Sequence, residues 1–118
     1  MKPRSAKNKG ASLQVLVVKL LRKLTGMDNG VASNHDGDIQ SRSMGSQGTD
    51  IVLSPHAKKV IPFDIECKNA EAWHIDKWWD QTQANTEDGR FGLLIIKKNR
   101  KKPLAIMDLD EFLKLTIK

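Results

Sequence analysis

The sequence contains only one cysteine and no long apolar run. Cys67 cannot form a disulfide within the chain, and no segment approaches the ~18 apolar residues that a membrane-spanning helix requires. The basic N-terminus leads into a helical pattern without a small-residue cleavage site, so no secretory signal is indicated. The histidines His35, His56 and His74 lack the spacing of a zinc site and are interpreted as surface residues. These absences favour a cytoplasmic protein with no membrane partner.

Acidic residues are outnumbered by basic ones. The chain has 20 Lys and Arg against 14 Asp and Glu, which gives a net charge of +6 and a pI near 9.6. Residues 1–10 include four basic and no acidic residues, and five of the six residues in 97–102 are basic. Such clusters suit a polyanionic partner. The length of 118 residues allows one core, so we expect a flexible basic arm over 1–10 and a single domain over 11–118.

The first half of the chain begins with a helical pattern and then becomes polar. Apolar residues recur at helical spacing from Leu13 to Leu24, and Gly26 is a plausible end for that helix. Residues 27–40 are rich in Asn, Asp and Gly, which is typical of a loop or an irregular strand. A Gly/Ser-rich segment, 42–48, leads into a short predicted strand over residues 50–53.

The second half alternates between strand and helix patterns. Residues 60–68 alternate in polarity like a strand, 71–87 have helical composition, and 91–97 form a nearly all-apolar strand. Residues 104–107 are the expected hairpin partner of 91–97, and Asp108 is the expected cap of a last helix. The order predicts an α/β layered domain around a mixed sheet, without an internal repeat. Three tryptophans are expected to pack in the core or in a dimer interface rather than stack on bases: Trp73, Trp78 and Trp79.

Two carboxylates and a lysine form the strongest candidate for chemistry. Glu66 and Lys68 stand two apart on a strand and therefore share one face, whereas Cys67 points to the core. Asp50 begins the preceding strand and can approach Glu66 if the two strands form a hairpin. Carboxylates suit Mg²⁺, which lowers the pKa of an attacking water in phosphodiester hydrolysis. The backbone carbonyl of Cys67 is a further candidate ligand.

These residues have recognisable neighbours in the sequence. Lys9-Gly10-Ala11 opens the first helix, Arg42-Ser43-Met44-Gly45-Ser46 precedes Asp50, and Glu66-Cys67-Lys68 lies in the second strand. Together they resemble the PD-(D/E)xK nuclease superfamily, and within it the archaeal and phage-type Holliday junction resolvases. The resemblance implies a restriction-endonuclease-like fold with a central mixed sheet of about five strands flanked by helices.

The same resemblance implies a function and roles for individual residues. The protein would be a homodimer that makes paired nicks in four-way DNA junctions, using Mg²⁺ or Mn²⁺ in the cytoplasm of a prokaryote or a phage-infected cell. Asp50 and Glu66 would bind the metal, Lys68 would assist the water, Arg42 would contact phosphate, and Ser46 would lie beside the site.

Two departures from the family pattern concern the site. Thr49 stands where the superfamily has a proline, and Gln14 stands where these resolvases place a first-helix glutamate. Gln14 can still hold a metal-bound water, or Asp36 or Asp38 can supply the missing carboxylate. Gln81 lies on the later helix, where related nucleases often place a glutamine of the site.

Basic residues outside Asp50, Glu66 and Lys68 are expected to bind DNA phosphates. The basic cluster at 97–102 can instead be only a solvent-exposed turn that discourages pairing at a sheet edge. The predicted DNA contacts are Lys7, Lys9, Arg42, Lys97, Lys98, Arg100, Lys101 and Lys102. The leading hypothesis is a Holliday junction resolvase. The alternatives are another nicking, repair or restriction-type nuclease of the same superfamily, and a basic DNA-binding module without catalysis.

Overall fold

The structure, a computed structural model, describes residues 6–27, 33–42 and 48–117, with side chains from residue 9 onward. Four helices and five strands lie in these ranges. In chain order they are α1 (Ala6–Thr25), β1 (Ile39–Ser41), β2 (Ile51–Leu53), α2 (Pro55–Lys58), β3 (Phe63–Asn69), α3 (Ile75–Ala84), β4 (Phe91–Lys97), β5 (Leu104–Ile106) and α4 (Leu109–Thr116).

The strands form two sheets of different size. β3 and β4 are parallel, with α3 as the crossover between them, and β5 pairs antiparallel with the other edge of β4. β1 and β2 form a separate antiparallel pair. The predicted mixed α/β architecture and the β4–β5 hairpin are therefore confirmed. The expected central sheet of about five strands is smaller, because the five strands divide into groups of three and two.

The expected hairpin between β2 and β3 is wrong. Ser54 ends β2 and caps α2 instead, because its hydroxyl accepts a hydrogen bond from the Ala57 N–H at 3.1 Å and Pro55 occupies the first helical turn. The chain therefore turns through a short helix, and β2 pairs with β1. One backbone hydrogen bond, from the Asp50 N–H to the Ile65 carbonyl at 3.0 Å, still links this strand to β3.

Helix α1 begins at Ala6, within the segment expected to be a flexible arm. Alanine and lysine are strong helix formers, which accounts for helix over 6–10 despite Gly10. Residues 1–5 lie outside the described residues. Among the described residues, no helix is both long enough and apolar enough to cross a membrane.

The buried face of α1 differs in part from the predicted apolar face. Leu13, Val17 and Val18 are buried against β1 and β3, whereas a stripe of leucines on the other side stays exposed. Arg22 is buried with the core-facing residues. Its guanidinium donates to the carbonyls of Ile39, Ser33 and Asp36, at 2.7 to 3.2 Å, which compensates the cost of burying the charge. The polar segment before β1 is thereby attached to α1.

Two apolar clusters cover the two faces of the larger sheet. On one face α1, β1 and β2 pack against β3 through residues such as Ile65 and Cys67. On the other face α3 packs Trp78 against Leu94 and Ile96 of β4, and the other two tryptophans lie partly buried beside this cluster. Trp78 therefore fills the core, which is one of the two packing roles predicted for the tryptophans.

A buried ion pair joins the start of β3 to the turn after α3. The Arg90 Nε lies 2.7 Å from Asp64 Oδ1, and both side chains are largely buried. Arg90 also donates to three backbone carbonyls between residues 58 and 63, and Asp64 accepts from the Glu87 N–H at 2.9 Å. Every polar side-chain atom of Asp64 and Arg90 therefore makes a hydrogen bond, and these bonds link residues 58–64 to residues 87–90.

We predict that Asp64→Ala lowers the free energy of unfolding by about 3 kcal/mol, because it leaves the Arg90 charge buried without a counter-ion. Urea denaturation measures this change. The matched control is Glu87→Ala, which removes the exposed ion pair with Lys58 and should cost less than ~1 kcal/mol. Equal losses in the two variants would contradict the role given to the buried pair.

Candidate active site

Asp50 is held against β3 by hydrogen bonds to two backbone groups of that strand, and it also binds the backbone of Arg42, just after β1. Its Oδ2 accepts a hydrogen bond from the Cys67 N–H at 2.7 Å. Its own N–H donates to the Ile65 carbonyl, and its carbonyl accepts from the Arg42 N–H at 2.8 Å. The approach of Asp50 to the β3 strand, which the sequence predicted through a hairpin, is thus achieved by a different route.

Glu66 lies in the middle of β3 with only 2% of its surface exposed. It pairs in register with Leu94 of β4, on the sheet face that α3 covers. The Nδ2 of Asn85, which is the C-terminal cap of α3, donates to Glu66 Oε1 at 2.8 Å. A carboxylate that would be solvated on an open strand is therefore enclosed between a sheet and a helix end.

The close approach of α3 to the sheet depends on a glycine. A Cβ atom added at Gly92 would lie 2.8 Å from Thr86 Oγ1 and 2.9 Å from Gln83 Oε1, both in or just after the last turn of α3. Any larger residue would have to displace these side chains. Gly92 therefore allows the end of α3, and with it Asn85, to lie over Glu66.

Burial and the nearby charge of Asp50 raise the pKa of Glu66 from 4.5 to about 7, and a hydrogen bond between the two carboxyl groups adds to the rise. The hydrogen bond from Asn85 and the charge of Lys68 oppose it. Burial, followed by the charges of Asp50 and Glu66, also raises the pKa of the Cys67 thiol. Cys67 therefore stays neutral in the core, as predicted from its alternation with Glu66.

The donor set fits a hard divalent cation. Asp50 and Glu66 bring two carboxylates close enough to share a proton, and a cation would relieve the same repulsion. The protein donors from Cys67 and Asn85 each bind one oxygen of a carboxylate, which orients both groups. Within the described residues, no three His, Cys, Asp or Glu side chains converge on one point.

Neither Asp36 nor Asp38, the possible replacements for the missing first-helix glutamate, joins the pair of Asp50 and Glu66. Asp38 accepts a hydrogen bond from Ser54 Oγ at 2.7 Å and so ties β1 to the cap of α2. Asp36 offers its backbone carbonyl to Arg22. Gln14 is buried on α1, the helix that packs against β3, and its part in the site stays a prediction.

The remaining predicted site residues differ in their positions. Lys68 is partly buried and lies on the same side of β3 as Glu66. The Gln81 side chain is exposed on α3, and the contact with Glu66 comes from Asn85, four residues further on. Ser46 lies outside the described residues.

Two of the basic segments meet at one end of the larger sheet. The Asn69 Nδ2 donates to the Lys9 carbonyl at 3.2 Å, so the start of α1 lies beside the end of β3. β4 runs parallel to β3 and ends at the same edge, where the basic turn 98–103 follows. This end of the sheet is also the end that carries Lys68.

Individual basic side chains in these segments have different surroundings. Lys98 lies 4.5 Å from the centre of the Trp73 ring, and Lys97 Nζ donates to the Lys98 carbonyl. Arg42 is turned toward Gly48 and donates to the Thr49 carbonyl. The exposed basic residues of the turn are Arg100, Lys101 and Lys102. Lys7 lies in α1, and its side chain is outside the described part of the chain.

Comparison with known proteins gives one match. A family model described as "Phage putative PDDEXK endonuclease" matches residues 5–118. The chain belongs to this family. The predicted membership of the PD-(D/E)xK superfamily is thereby confirmed, and this PDDEXK protein is a nuclease of a class that generally uses divalent metal ions and acts on DNA. No curated protein and no solved structure matched the chain.

Sequence reasoning missed two residues that shape the candidate site of this nuclease. Asn85 follows the last turn of α3, and nothing in its neighbourhood distinguishes it from an ordinary helix cap. Gly92 lies inside an apolar strand, where a glycine can signal a close approach of another backbone or ligand. That second signal was available in the sequence, but it could not say which element approaches.

We predict that Glu66→Gln stabilises the metal-free protein above pH 7 and has no effect near pH 4. The folded pKa of about 7 exceeds the value of 4.5, so folding favours the protonated form and the parent loses stability as the pH rises between these values. The loss amounts to at most about 3 kcal/mol. Urea denaturation in a chelator, repeated across this pH range, measures it, and equal stability of parent and variant above pH 7 would contradict the prediction.

We predict that Asn85→Ala weakens Mn²⁺ binding near neutral pH, because the loss of the donor to Glu66 lets the proton compete better with the metal. The expected loss is about 10-fold to 100-fold, and it should shrink at higher pH, where Glu66 is ionised in both proteins. Isothermal titration calorimetry measures the affinity. Gln83→Ala, a change of an exposed amide on the same helix, should bind like the parent. The reverse order of the two variants would refute the assignment of Asn85.

Proposed function

We propose that this nuclease is a homodimeric, Mg²⁺-dependent endonuclease that resolves four-way DNA junctions by paired nicks. The observation that carries the proposal is the pair of Asp50 and Glu66, oriented by the Cys67 N–H and by Asn85. A partly buried lysine, Lys68, follows two residues later on the same strand. This combination provides both the metal ligands and the cation that phosphodiester hydrolysis requires.

Each residue of the proposed site has a distinct task. Asp50, Glu66 and the backbone carbonyl of Cys67 hold the metal, and Mn²⁺ can replace Mg²⁺. The bound ion supplies charge neutralisation at the phosphate and a lower pKa for the attacking water. Lys68 orients that water and compensates the negative charge that develops on the phosphate. Asn85 favours the ionised form of Glu66, against the effects that raise its pKa, and orients the carboxylate.

Several further residues are proposed to surround this centre. Gln14 holds a water by its side-chain amide, Ser46 lies beside the metal, and Gln81 borders the site from α3. Arg42 contacts a phosphate near Asp50. These roles come from the resemblance to the resolvases, and the nuclease assignment does not depend on them.

Phosphate contacts are proposed at the sheet end where β3 and β4 finish. Basic side chains on the start of α1 and in the turn 98–103 bind the DNA backbone, which is a sequence-independent form of recognition. The net charge of +6 adds a long-range attraction to DNA. Contacts of this kind suit an enzyme that selects a branched shape rather than a base sequence. Its place of action would be the cytoplasm of a phage-infected cell.

The choice of a junction as substrate rests on symmetry and on the resemblance carried by residues 42–46 and 66–68. One catalytic centre cuts one strand, whereas a four-way junction with two-fold symmetry is resolved by two symmetric cuts. A dimer with one centre in each chain supplies both cuts. Other nicking or restriction-type nucleases share the same triad and differ in how they dock DNA.

We predict that the protein with Mg²⁺ cuts a synthetic four-way junction at least ~10-fold faster than linear duplex or single strands of the same sequence. Denaturing electrophoresis of end-labelled strands measures the rates. Equal cutting of linear duplex would reject the resolvase assignment and leave the nuclease assignment intact. No cutting with either Mg²⁺ or Mn²⁺ would favour the DNA-binding module instead.

We predict that Asp50→Asn and Lys68→Ala each reduce junction cleavage by at least ~100-fold while retaining junction binding. The matched controls are Asp80→Asn and Lys77→Ala, which change the same residue types at exposed positions on α3. Cleavage rates and electrophoretic mobility shifts measure the two properties separately. Activity at the parent level in either site variant would remove that residue from the proposed mechanism.

A further inference from the structure

The C-terminal segment carries a large apolar surface that the rest of the described chain does not cover. Five side chains of β5, α4 and their flanks are each between 41% and 70% exposed. They are Leu104, Leu109, Phe112, Leu113 and Ile117. We call these five residues the C-terminal apolar face. Metal binding and the proposed catalytic chemistry use none of them.

Helix α4 has little support from its own chain. It spans eight residues and none of them is buried, although its apolar residues are concentrated on one side. An isolated helix of this length is marginal in water, so most of its stability must come from packing. Asp108 Oδ1 accepts a hydrogen bond from the Glu111 N–H at 3.1 Å, but one cap cannot replace an apolar partner.

The apolar face has both a concave and a projecting part. A groove of about 340 Å³ opens between β5 and α4. Its lining residues are Ala105, Ile106, Met107, Leu109 and Phe112. Leu113 and Ile117 are exposed on α4 and just beyond its end. A surface that holds both a groove and projecting apolar side chains can be complementary to itself, as a two-fold interface requires.

The size of the face suits a protein interface. Its five residues expose on the order of 500 Å², which is comparable to the largest apolar patch of a typical monomer, often a functional surface, and more than half of the ~800 Å² per partner in a standard interface. β5 also forms an edge of the larger sheet, and a free edge is a second surface that a partner can cover. Together the face and the edge approach the area that a stable dimer needs.

The charge of the face disfavours the other classes of partner. Asp108, Asp110 and Glu111 lie in or before the first turn of α4, and the lysine of this helix, Lys114, pairs with Asp110 at 2.9 Å. The surplus of negative charge on α4 would repel DNA phosphates and an anionic membrane surface alike, whereas the basic residues Lys101 and Lys102 adjoin the other end of the face, next to Leu104. A protein partner therefore fits better, and a second copy is available wherever the chain is present.

One rival surface has a similar composition. Leu16, Leu20 and Leu24 form an exposed stripe on α1, each between 43% and 74% exposed. Their spacing of four residues aligns them on one side of the helix. With three residues the stripe offers less area than the C-terminal apolar face, and exposed Lys19 and Lys23 lie beside it in sequence. It serves as the natural control surface.

We propose that the C-terminal apolar face binds the same face of a second copy of this chain, forming a two-fold dimer. The choice of a second copy rests on the proposed paired-nick function, whereas the position of the surface rests on exposure and area. In the dimer, α4 of each chain covers the groove of the other, and the two β5 edges lie near the symmetry axis.

The first test is the mass of the full chain in solution at increasing concentration, by analytical ultracentrifugation. The parent should approach twice 13.3 kDa. Leu109→Lys and Ile117→Lys each place a buried charge in the interface and should raise the dimer Kd on the order of 100-fold. Leu20→Lys and Leu24→Lys on the α1 stripe should leave it unchanged. Circular dichroism verifies that each variant is folded.

A second measurement uses only the unmodified chain, so it does not depend on the folding of any variant. Amide hydrogen exchange should slow over residues 104–117 as the protein concentration rises, because the partner copy protects this segment. Protection over 16–24 instead, or dissociation by the α1 variants alone, would overturn the proposal. A monomer at every concentration would overturn it as well.

A cruciform plasmid separates this inference from the proposed function. Paired nicks within one dimer convert the supercoiled plasmid to the linear form, whereas independent single nicks give open circles. Leu109→Lys should lower the ratio of linear to open-circular product by at least ~10-fold and retain single nicks. A dimer through this face that cuts linear duplex as fast as junctions would reject the resolvase assignment but support the interface. Linear product at the parent level from a Leu109→Lys variant that remains dimeric would reject the interface and leave the resolvase assignment intact.

Discussion

Asp50 joins the two halves of the domain and also carries one of the two charges at the candidate centre. Its backbone N–H binds the Ile65 carbonyl, and its side chain accepts from the Cys67 N–H on the same strand. The small sheet and the large sheet therefore meet at a carboxylate. Any shift of β2 relative to β3 would move this carboxylate away from Glu66, so the packing of the two sheets sets the geometry of the site.

This arrangement costs stability. Two carboxylates face each other, and one of them is almost fully enclosed, which is why the pKa of Glu66 rises to about 7. Nothing in the apolar packing of the sheet requires a glutamate there, since Leu94 occupies the adjacent position of β4. Buried, mutually repelling charges of this kind are typical of functional sites, where activity is maintained at the expense of folding stability. The network of Asp64 and Arg90 stabilises the loops nearby and offsets part of that cost.

Much of the secondary structure followed from periodicity. The α1 helix, the alternating β3 strand, the apolar β4 strand, its hairpin partner and the Asp108 cap were all predicted from local pattern, because each depends on residues that are close in sequence. The β2–β3 hairpin was wrong, since Ser54 and Pro55 favour a helix start as well as a turn. The buried Arg22 was not foreseen, because its partners lie 11 to 17 residues away on a polar segment without periodicity.

The sequence alone determined which functional groups are available for metal and DNA binding. They are an E-x-K triplet on a strand, an aspartate before it, and a surplus of basic residues at the ends of the elements. These features depend only on residue type and on the two-residue period of a strand. The tertiary structure decided which groups meet. In the tertiary structure Asp50 contacts the Cys67 N–H although the two strands form no hairpin. Asn85, and not Gln81, donates a hydrogen bond to Glu66. Asp36 and Asp38 lie away from the pair of Asp50 and Glu66. Such choices depend on how helices and sheets pack across long sequence separations, where close contacts such as that at Gly92 have no local signature.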